Sequence, residues 1–328
     1  MEVKRRRARA LVSRLSSVSE QTRADALSEL RLITKQDAES RPLIAEAGAI
    51  PYLADLLYSS SSSSEALQDN AAATLLNLSI SCRDALMSTR GLLDALSHAL
   101  RHHSSTTPPS AVQSAAATLH SLLITDDSYR LIIGSKRDIL YSLVEIIRDP
   151  DSPSRSIKDA LKAMFSVALH PLNRPNLMDL GAVPALFSLV IKDGRAGIVE
   201  DATAVIAQIA GAEESGREFE KVSGVRVLVD LLDMGTGSSH RIKENAVGAL
   251  LNLVRTGTLD SSNKVRDAII NESGGCAFDG IRDVAHSPTS APKSKSKALA
   301  LLQLIEEEAP TTTTTTPKPS PLRFHVPV

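Results

Sequence analysis

The chain has 328 residues with 37 basic and 38 acidic side chains, a net charge of −1, and 42% apolar residues but only 3% aromatic and no Trp. Near-neutrality argues against a nucleic-acid or anionic-membrane binder working through bulk charge, and any core must be built from Leu, Ile, Val and Ala. The two cysteines, Cys82 and Cys276, lie far apart and read as small core or loop residues, not a disulfide.

In chain order, MEVKRRRARALV opens with charge and lacks an apolar signal-peptide core; residues 1–10 are expected to be a basic tail and helical structure to start near Leu11. A helix carrying Ala26, Leu30 and Ile33 follows. RPLIAEAG (41–48) predicts a short helix closing on Gly48, and AIPYLADLL (49–57) a second, with Pro51 in its first turn and Ile50, Leu53, Leu56 and Leu57 on one face. The serine run 59–64 reads as a loop and QDNAAATLLNLSI (68–80) as a third helix. The same order returns with GLLDALSHAL (91–100), GAVPALFSLV (181–190) and GVRVLVDLL (224–232), each led by glycine, and with RDILYSLVEII (137–147), which lacks it. Arg41, Arg83, Arg130, Arg174 and Arg217 stand seven or eight places before these junctions, where they are expected to be solvated or to cap neighbouring carbonyls. Polar stretches of uneven length (58–66, 101–111, 148–156, 191–198, 233–241, 285–296) all fall between a second and a third helix, on one edge of the molecule. From 309 to 328 the Thr/Pro-rich sequence has no core-forming pattern and is expected to be disordered.

The third-helix pattern is an alanine followed by apolar residues four and seven places later. It recurs from Ala71, Ala115, Ala160, Ala202, Ala246 and Ala298, in steps of 44, 45, 42, 44 and 52 residues, with an outlying copy 45 residues earlier at Ala26. Helical units at this period point to a HEAT or armadillo array, because one unit cannot bury its apolar face alone. The expected fold is all-α: a right-handed armadillo-repeat superhelical solenoid of about six repeats over 11–308, preceded by a capping helical pair.

SELRLITKQDAESRPLIAEAGAIPYLADLL (28–57), the pair NAAATLLNLSI (70–80) and SAAATLHSLLI (114–124), and KDALKAMFSVALHPLNRPNLMDLGAVPALFSLV (158–190) with ENAVGALLNLV (244–254) resemble the armadillo domain of plant U-box ubiquitin ligases. The resemblance implies an array that holds a substrate or regulator while a separate U-box recruits the ubiquitin-conjugating enzyme. A Cys-Pro-Ile U-box start does not occur in these residues, so the binding half of the family's activity carries over and the ligase half does not.

With Ala71, Leu75 and Leu78 committed to the core, Ala73, Asn77 and Ser81 share the opposite ridge. Its equivalents are Ala117 and Ser121, Lys162 and Ser166, Ala204 and Gln208, and Gly248 and Asn252. Asn77, Ser121, Lys162, Ser166, Gln208 and Asn252 are therefore the candidate partner-binding residues. Amides offer both donor and acceptor to the unpaired backbone of an extended peptide. The same side chains would alternatively tie neighbouring third helices together. The resemblance also sets this groove apart from nuclear-import receptors, which carry Trp where this chain has Ala73 and Gly248.

No catalytic constellation is found. His102-His103 with His98 lacks further ligands for a metal, GTGSSH (235–240) lacks the lysine of a phosphate loop, and Asp126-Asp127 and EDAT (200–203) read as helix-start carboxylates. No cofactor or metal is expected. The expected partner is a protein or extended peptide, bound by a monomer in the cytoplasm or nucleus; KRRRAR (4–9) resembles a nuclear-import signal, and no membrane or nucleic-acid partner is expected. The competing readings are a substrate-binding fragment or isoform of a U-box ligase, and a U-box-free competitor for ligase substrates.

Overall fold

A computed structural model describes residues 1–58, 65–101, 107–124, 126–257, 259–272 and 275–306. The serine run 59–64, His102-His103 and the tail from 307 lie outside them. The helices are α1 (Glu2–Leu15), α2 (Glu20–Gln36), α3 (Ser40–Glu46), α4 (Ala49–Leu56), α5 (Glu65–Ser79), α6 (Arg83–Ser88) and α7 (Leu92–Arg101). They continue as α8 (Pro109–Leu123), α9 (Asp127–Gly134), α10 (Arg137–Arg148), α11 (Ser154–Ala168), α12 (Arg174–Asp179), α13 (Ala182–Lys192) and α14 (Ala196–Ile209). The last are α15 (Ser215–Lys221), α16 (Gly224–Asp230), α17 (His240–Thr256), α18 (Leu259–Asp267), α19 (Cys276–His286) and α20 (Pro292–Glu306). Among the described residues there is no strand. The order is a helical pair, α1–α2, and then six three-helix units, α3–α5 to α18–α20.

The long third helices stack in one uninterrupted row, α2, α5, α8, α11, α14, α17, α20, each touching the next. The repeated alanine is what allows this approach: Ala26, Ala71, Ala115, Ala160, Ala202, Ala246 and Ala298 are all fully buried, with Leu75, Leu119, Met164, Ile206 and Leu250 beside them. The described ends of the polar stretches do fall between second and third helices.

The junction glycines Gly48, Gly91 and Gly181 adopt left-handed backbone, and Gly275 does the same before α19. Lys136 serves at the glycine-free junction with φ −80. The register shifts in the fifth unit. There Ser223 takes the left-handed position (φ 52), and Gly224 is the first residue of α16. Gly224 is needed for space instead: a Cβ on it would lie 2.7 Å from the ring of Phe187, which stacks edge-on against Phe219 with both rings buried.

The N-terminal boundary also differs from expectation. Residues 2–10 are not a tail but most of α1, because Ala8, Leu11, Val12 and Leu15 recur at helical spacing and are buried against α2 and α3. Cations of the basic segment are ion-paired: Lys4 with Asp37 at 2.7 Å and Glu39 at 2.8 Å, and Arg7 with Glu29 at 2.6 Å. Lys4, together with the Ser40 hydroxyl, holds the Asp37 carboxyl down to about 2.

The arginines that open the first helices form a seam. Arg41 donates Nε to the Thr34 carbonyl at 2.8 Å and reaches Ser81 Oγ, just past the end of α5, at 3.2 Å. Arg83 bonds the Ser121 carbonyl at 2.8 Å, and Arg130 those of Leu123 and Ile124. Arg174 joins the carbonyls of Ala168, at 2.9 Å, and Gly211, at 3.0 Å. These carbonyls belong to the C-terminal ends of third helices, where no intrahelical partner exists and a cation meets the negative end of the helix dipole. Arg217 is exposed and makes no hydrogen bond or ion pair among the described residues.

Candidate functional site

The face of the third helices opposite the core is the candidate binding surface. Each helix presents to it residues two, six and nine places after its core alanine, and the residues just before that alanine. Along α5, α8 and α11 the ninth position is apolar and exposed: Ile80, Ile124 and Leu169. Along α17 it is Arg255.

The six predicted residues meet different fates. Asn77 is partly exposed, and its Nδ2 donates to Thr34 Oγ1 at 3.1 Å and to the Arg31 carbonyl at 3.4 Å, both in the preceding unit. Asn252 does the same with the Ala207 carbonyl at 2.8 Å. In each amide the nitrogen faces the older helix, and Oδ1 has no hydrogen-bond partner among the described residues. Such an oxygen is a fixed acceptor.

Gln208 is partly exposed and its side chain makes no hydrogen bond among the described residues. Lys162 pairs with Asp159 at 3.0 Å. Ser121 and Ser166 are buried. Ser166 Oγ donates to the Lys162 carbonyl at 3.0 Å and lies 2.9 Å from His120 Nδ1. Burial, and then the Lys162 charge, push the His120 pKa down, so the neutral ring is favoured. The ladder therefore has partly exposed members at Asn77, Lys162, Gln208 and Asn252, and two serines withdrawn into the inter-helix contact.

The sequence reading passed over two features of this groove. EDAT is not a helix start, since α14 begins at Ala196. Glu200 accepts from Ser239 Oγ at 2.7 Å, and Asp201 is a half-buried carboxyl whose Oδ2 has no hydrogen-bond partner. Burial pushes the Asp201 pKa up against the pull of Lys158, Lys162 and Arg241. Asp126, by contrast, is a true cap, accepting from the Ser128 N–H at 2.8 Å.

The second feature is cationic. Lys297 of α20 lies across α17, its Nζ 3.3 Å from where a Cβ would stand on Gly248, and Lys158 of α11 lies equally close over Gly197 of α14, at 3.0 Å. Burial first, then Lys293 and Arg255, push the Lys297 pKa down. Lys158 stands two places before the core alanine Ala160 and Lys297 one place before Ala298, in helices far apart in sequence.

No group of three or more His, Cys, Asp or Glu side chains capable of holding a metal occurs among the described residues. Nor is any described helix long and apolar enough to cross a membrane. Cys82 is buried and Cys276 exposed, both as free thiols.

A family model of the plant U-box protein ARM repeat region matches residues 8–312. U-box domain-containing protein 17 of Arabidopsis thaliana is 32% identical over 258 residues, covering 78% of this chain and 33% of that protein. U-box domain-containing protein 4 of Oryza sativa subsp. japonica is 32% identical over 259 residues, covering 78% of this chain and 34% of that protein. The chain thus spans about a third of the length of these relatives. Among solved structures, an engineered protein superposes with a TM-score of 0.75 at 23% identity, over 91% of this chain and 68% of that one. A structure described as computationally designed armadillo repeat proteins for modular peptide recognition gives 0.63 at 22% identity, over 74% of this chain and 98% of that one. At these identities the likeness is one of fold: an armadillo-repeat solenoid.

Proposed function

Because this chain belongs to the plant U-box protein armadillo-repeat family, we propose that it is a non-catalytic interaction scaffold that holds a partner polypeptide along its groove, in ubiquitin-linked regulation or signalling. The observation that carries this reading is the pair Asn77 and Asn252. Each amide is anchored through nitrogen to the preceding third helix and keeps an acceptor oxygen free. An extended chain has backbone N–H groups that must find acceptors once they leave water, and pre-positioned oxygens supply them without an ordering cost in the protein. Gln208 and Lys162 add contacts between these two, and the exposed Ile80, Ile124 and Leu169 offer apolar surface beside them. A structural neighbour described as designed for modular peptide recognition lends the reading support by analogy of fold.

The test is partner capture with the Asn77→Ala, Asn252→Ala double variant, its folding checked by circular dichroism. Loss of captured polypeptides relative to the parent chain is expected. Unchanged capture of every partner would overturn the reading, since the asparagines would then act only between repeats.

A second reading rests on length: the chain covers about a third of its curated relatives, which are U-box proteins. It would then be the substrate-binding portion of a U-box ligase. An autoubiquitination assay on the purified chain with a panel of conjugating enzymes bears on both readings. No ubiquitin chains are expected. Their formation would mean that the repeats themselves recruit the conjugating enzyme. A cytoplasmic or nuclear location is proposed; a nuclear role for the basic segment requires Lys4 and Arg7 to leave their carboxylate partners.

A further inference from the structure

We propose that the C-terminal half of the groove, floored by α11, α14, α17 and α20, recognises a run of aspartate and glutamate side chains in an extended segment of the partner. This inference rests on the reading of the groove as a polypeptide-binding surface and specifies the chemistry of what lies there.

The argument is one of unmet charge. The side chains of Lys158, Arg241, Arg255, Lys293 and Lys297 make no hydrogen bond or ion pair among the described residues, and the one ion pair of Lys162 is with its neighbour Asp159 one turn away. Near the N-terminal end of the array Lys4, Arg7 and Arg31 have carboxylate partners from another helix or loop, within 2.8 Å, while the side chains of Arg9, Arg23 and Lys35 have none among the described residues. The acidic residues of the C-terminal half answer these cations only in part: the Asp201 carboxyl feels the charges of Lys158, Lys162 and Arg241, and Glu244 acts on Lys297, without an ion pair in either case. Asp159 is held by Lys162, Glu200 by the Ser239 hydroxyl, and Glu244 by the Ala291 N–H at 3.0 Å. Asp201 is half-buried.

The lysines are also placed. Lys158 and Lys297 each lie over a glycine of the following or preceding third helix, so their ammonium groups sit on the groove side and not on the solvent side of their own helix. Burial first, and then Lys293 and Arg255, lower the Lys297 pKa against the pull of Glu244, and an anion among these cations would offset their mutual repulsion. Lys158, Arg241 and Lys293 lie in the first or second turns of α11, α17 and α20, where the helix dipole adds positive potential to their own.

Spacing limits the ligand. Packed helices stand about 8–10 Å apart, so three steps from α11 to α20 span roughly 24–30 Å. An extended chain rising about 3.3 Å per residue covers that distance in about eight residues. A segment of this length with several carboxylates fits the cations. A segment of neutral amides would leave them unpaired. The apolar Ile80 and Ile124 lie to the N-terminal side of this stretch, Leu169 caps its first helix, and none of them offers it charge.

The probe is a fluorescein-labelled octapeptide of alternating Asp and Glu, titrated by anisotropy against the whole chain, with its Asn/Gln counterpart as control. The acidic peptide should bind, more weakly as ionic strength rises toward about 0.15 M, and the amide peptide should not. Lys158→Gln with Arg241→Gln, and separately Lys293→Gln with Lys297→Gln, should each weaken binding roughly three- to tenfold, as expected for two partly exposed ion pairs. Asp201→Asn should tighten it.

Equal binding of the two peptides, no binding of either, or indifference of the acidic peptide to both pairs of glutamines would overturn the inference. So would tighter binding of an oligothymidylate octamer or of phosphatidylserine vesicles through the same lysines, which would reassign the surface to nucleic acid or membrane. Failure here with capture still sensitive to Asn77→Ala and Asn252→Ala would leave the groove function standing. Glutamine-sensitive peptide binding with inert asparagine variants would do the reverse.

Discussion

Gly134→Ala should break a clamp between two repeats. Gly134 ends α9, and a Cβ there would stand 2.3 Å from Cγ and Oδ1 and 2.4 Å from Nδ2 of Asn173, far inside the usual contact of about 3.5–4.0 Å. Asn173 is 2% exposed, and its amide donates to the Arg130 carbonyl at 2.9 Å and the Val167 carbonyl at 3.0 Å. The methyl cannot coexist with that rotamer, so both bonds go. At about 1 kcal/mol each, with a further contribution for carbonyls left buried and unpaired, the loss is about 2–3 kcal/mol. Alanine recovers about 0.5–1 kcal/mol over glycine in a helix, leaving a net destabilisation of about 1–2 kcal/mol. Asn173→Ala alone should cost about 2–3 kcal/mol, and adding Gly134→Ala to it should then stabilise, because the space is empty. Urea titration by circular dichroism, with hydrogen exchange in α9 and α12 to localise the effect, measures the cycle. A coupling energy below about 0.5 kcal/mol would refute the clamp.

Leu250→Ala, at a fully buried position between stacked third helices, should cost about 2–5 kcal/mol and broaden or split the melting transition, because an array couples mainly nearest neighbours. A sharp transition with an unchanged midpoint would contradict this. Ser223→Gly should stabilise by about 0.5–1 kcal/mol, since serine there holds left-handed backbone that glycine adopts freely; a lower melting temperature would refute it. His120 has its pKa lowered by burial, so the unfolded chain binds more protons in the window from 6.5 down to the depressed folded value. Stability should fall as pH drops through that window, and His120→Asn should remove this part of the decline; identical pH profiles by urea titration would show otherwise.

The repeat was legible because stacking leaves room for only a methyl group at one position per third helix, and alanine at Ala71, Ala115, Ala160, Ala202 and Ala246 writes that constraint directly into the chain. The junctions were legible where glycine serves φ. Gly224 misled because it serves space against Phe187, a contact between residues 37 positions apart. The tail over residues 1–10 was misread because the density of arginine masked the apolar spacing of Ala8, Leu11, Val12 and Leu15. In the groove, the positions of Asn77 and Asn252 followed from helical phase. Their partners did not, since a backbone carbonyl in the preceding repeat leaves no mark on the sequence. The withdrawal of Ser121 and Ser166 was hidden for the same reason: His120 and Lys162, which hold Ser166, reach it by local twist and by stacking.

The arginine seam gives the solenoid an uneven elasticity. At Arg174 one guanidinium ties the carbonyl ends of two successive third helices, so bending that step stretches two hydrogen bonds at once. At Arg217 no such tie exists among the described residues, and the step from α14 to α17 is held instead by apolar packing and by smaller side chains, Asn252 on the Ala207 carbonyl and Thr256 on the Ala210 carbonyl. Bending at Arg174 therefore loads one long cation shared by two helix ends, whereas bending between α14 and α17 loads short amide and hydroxyl side chains that each hold a single carbonyl of the preceding helix end.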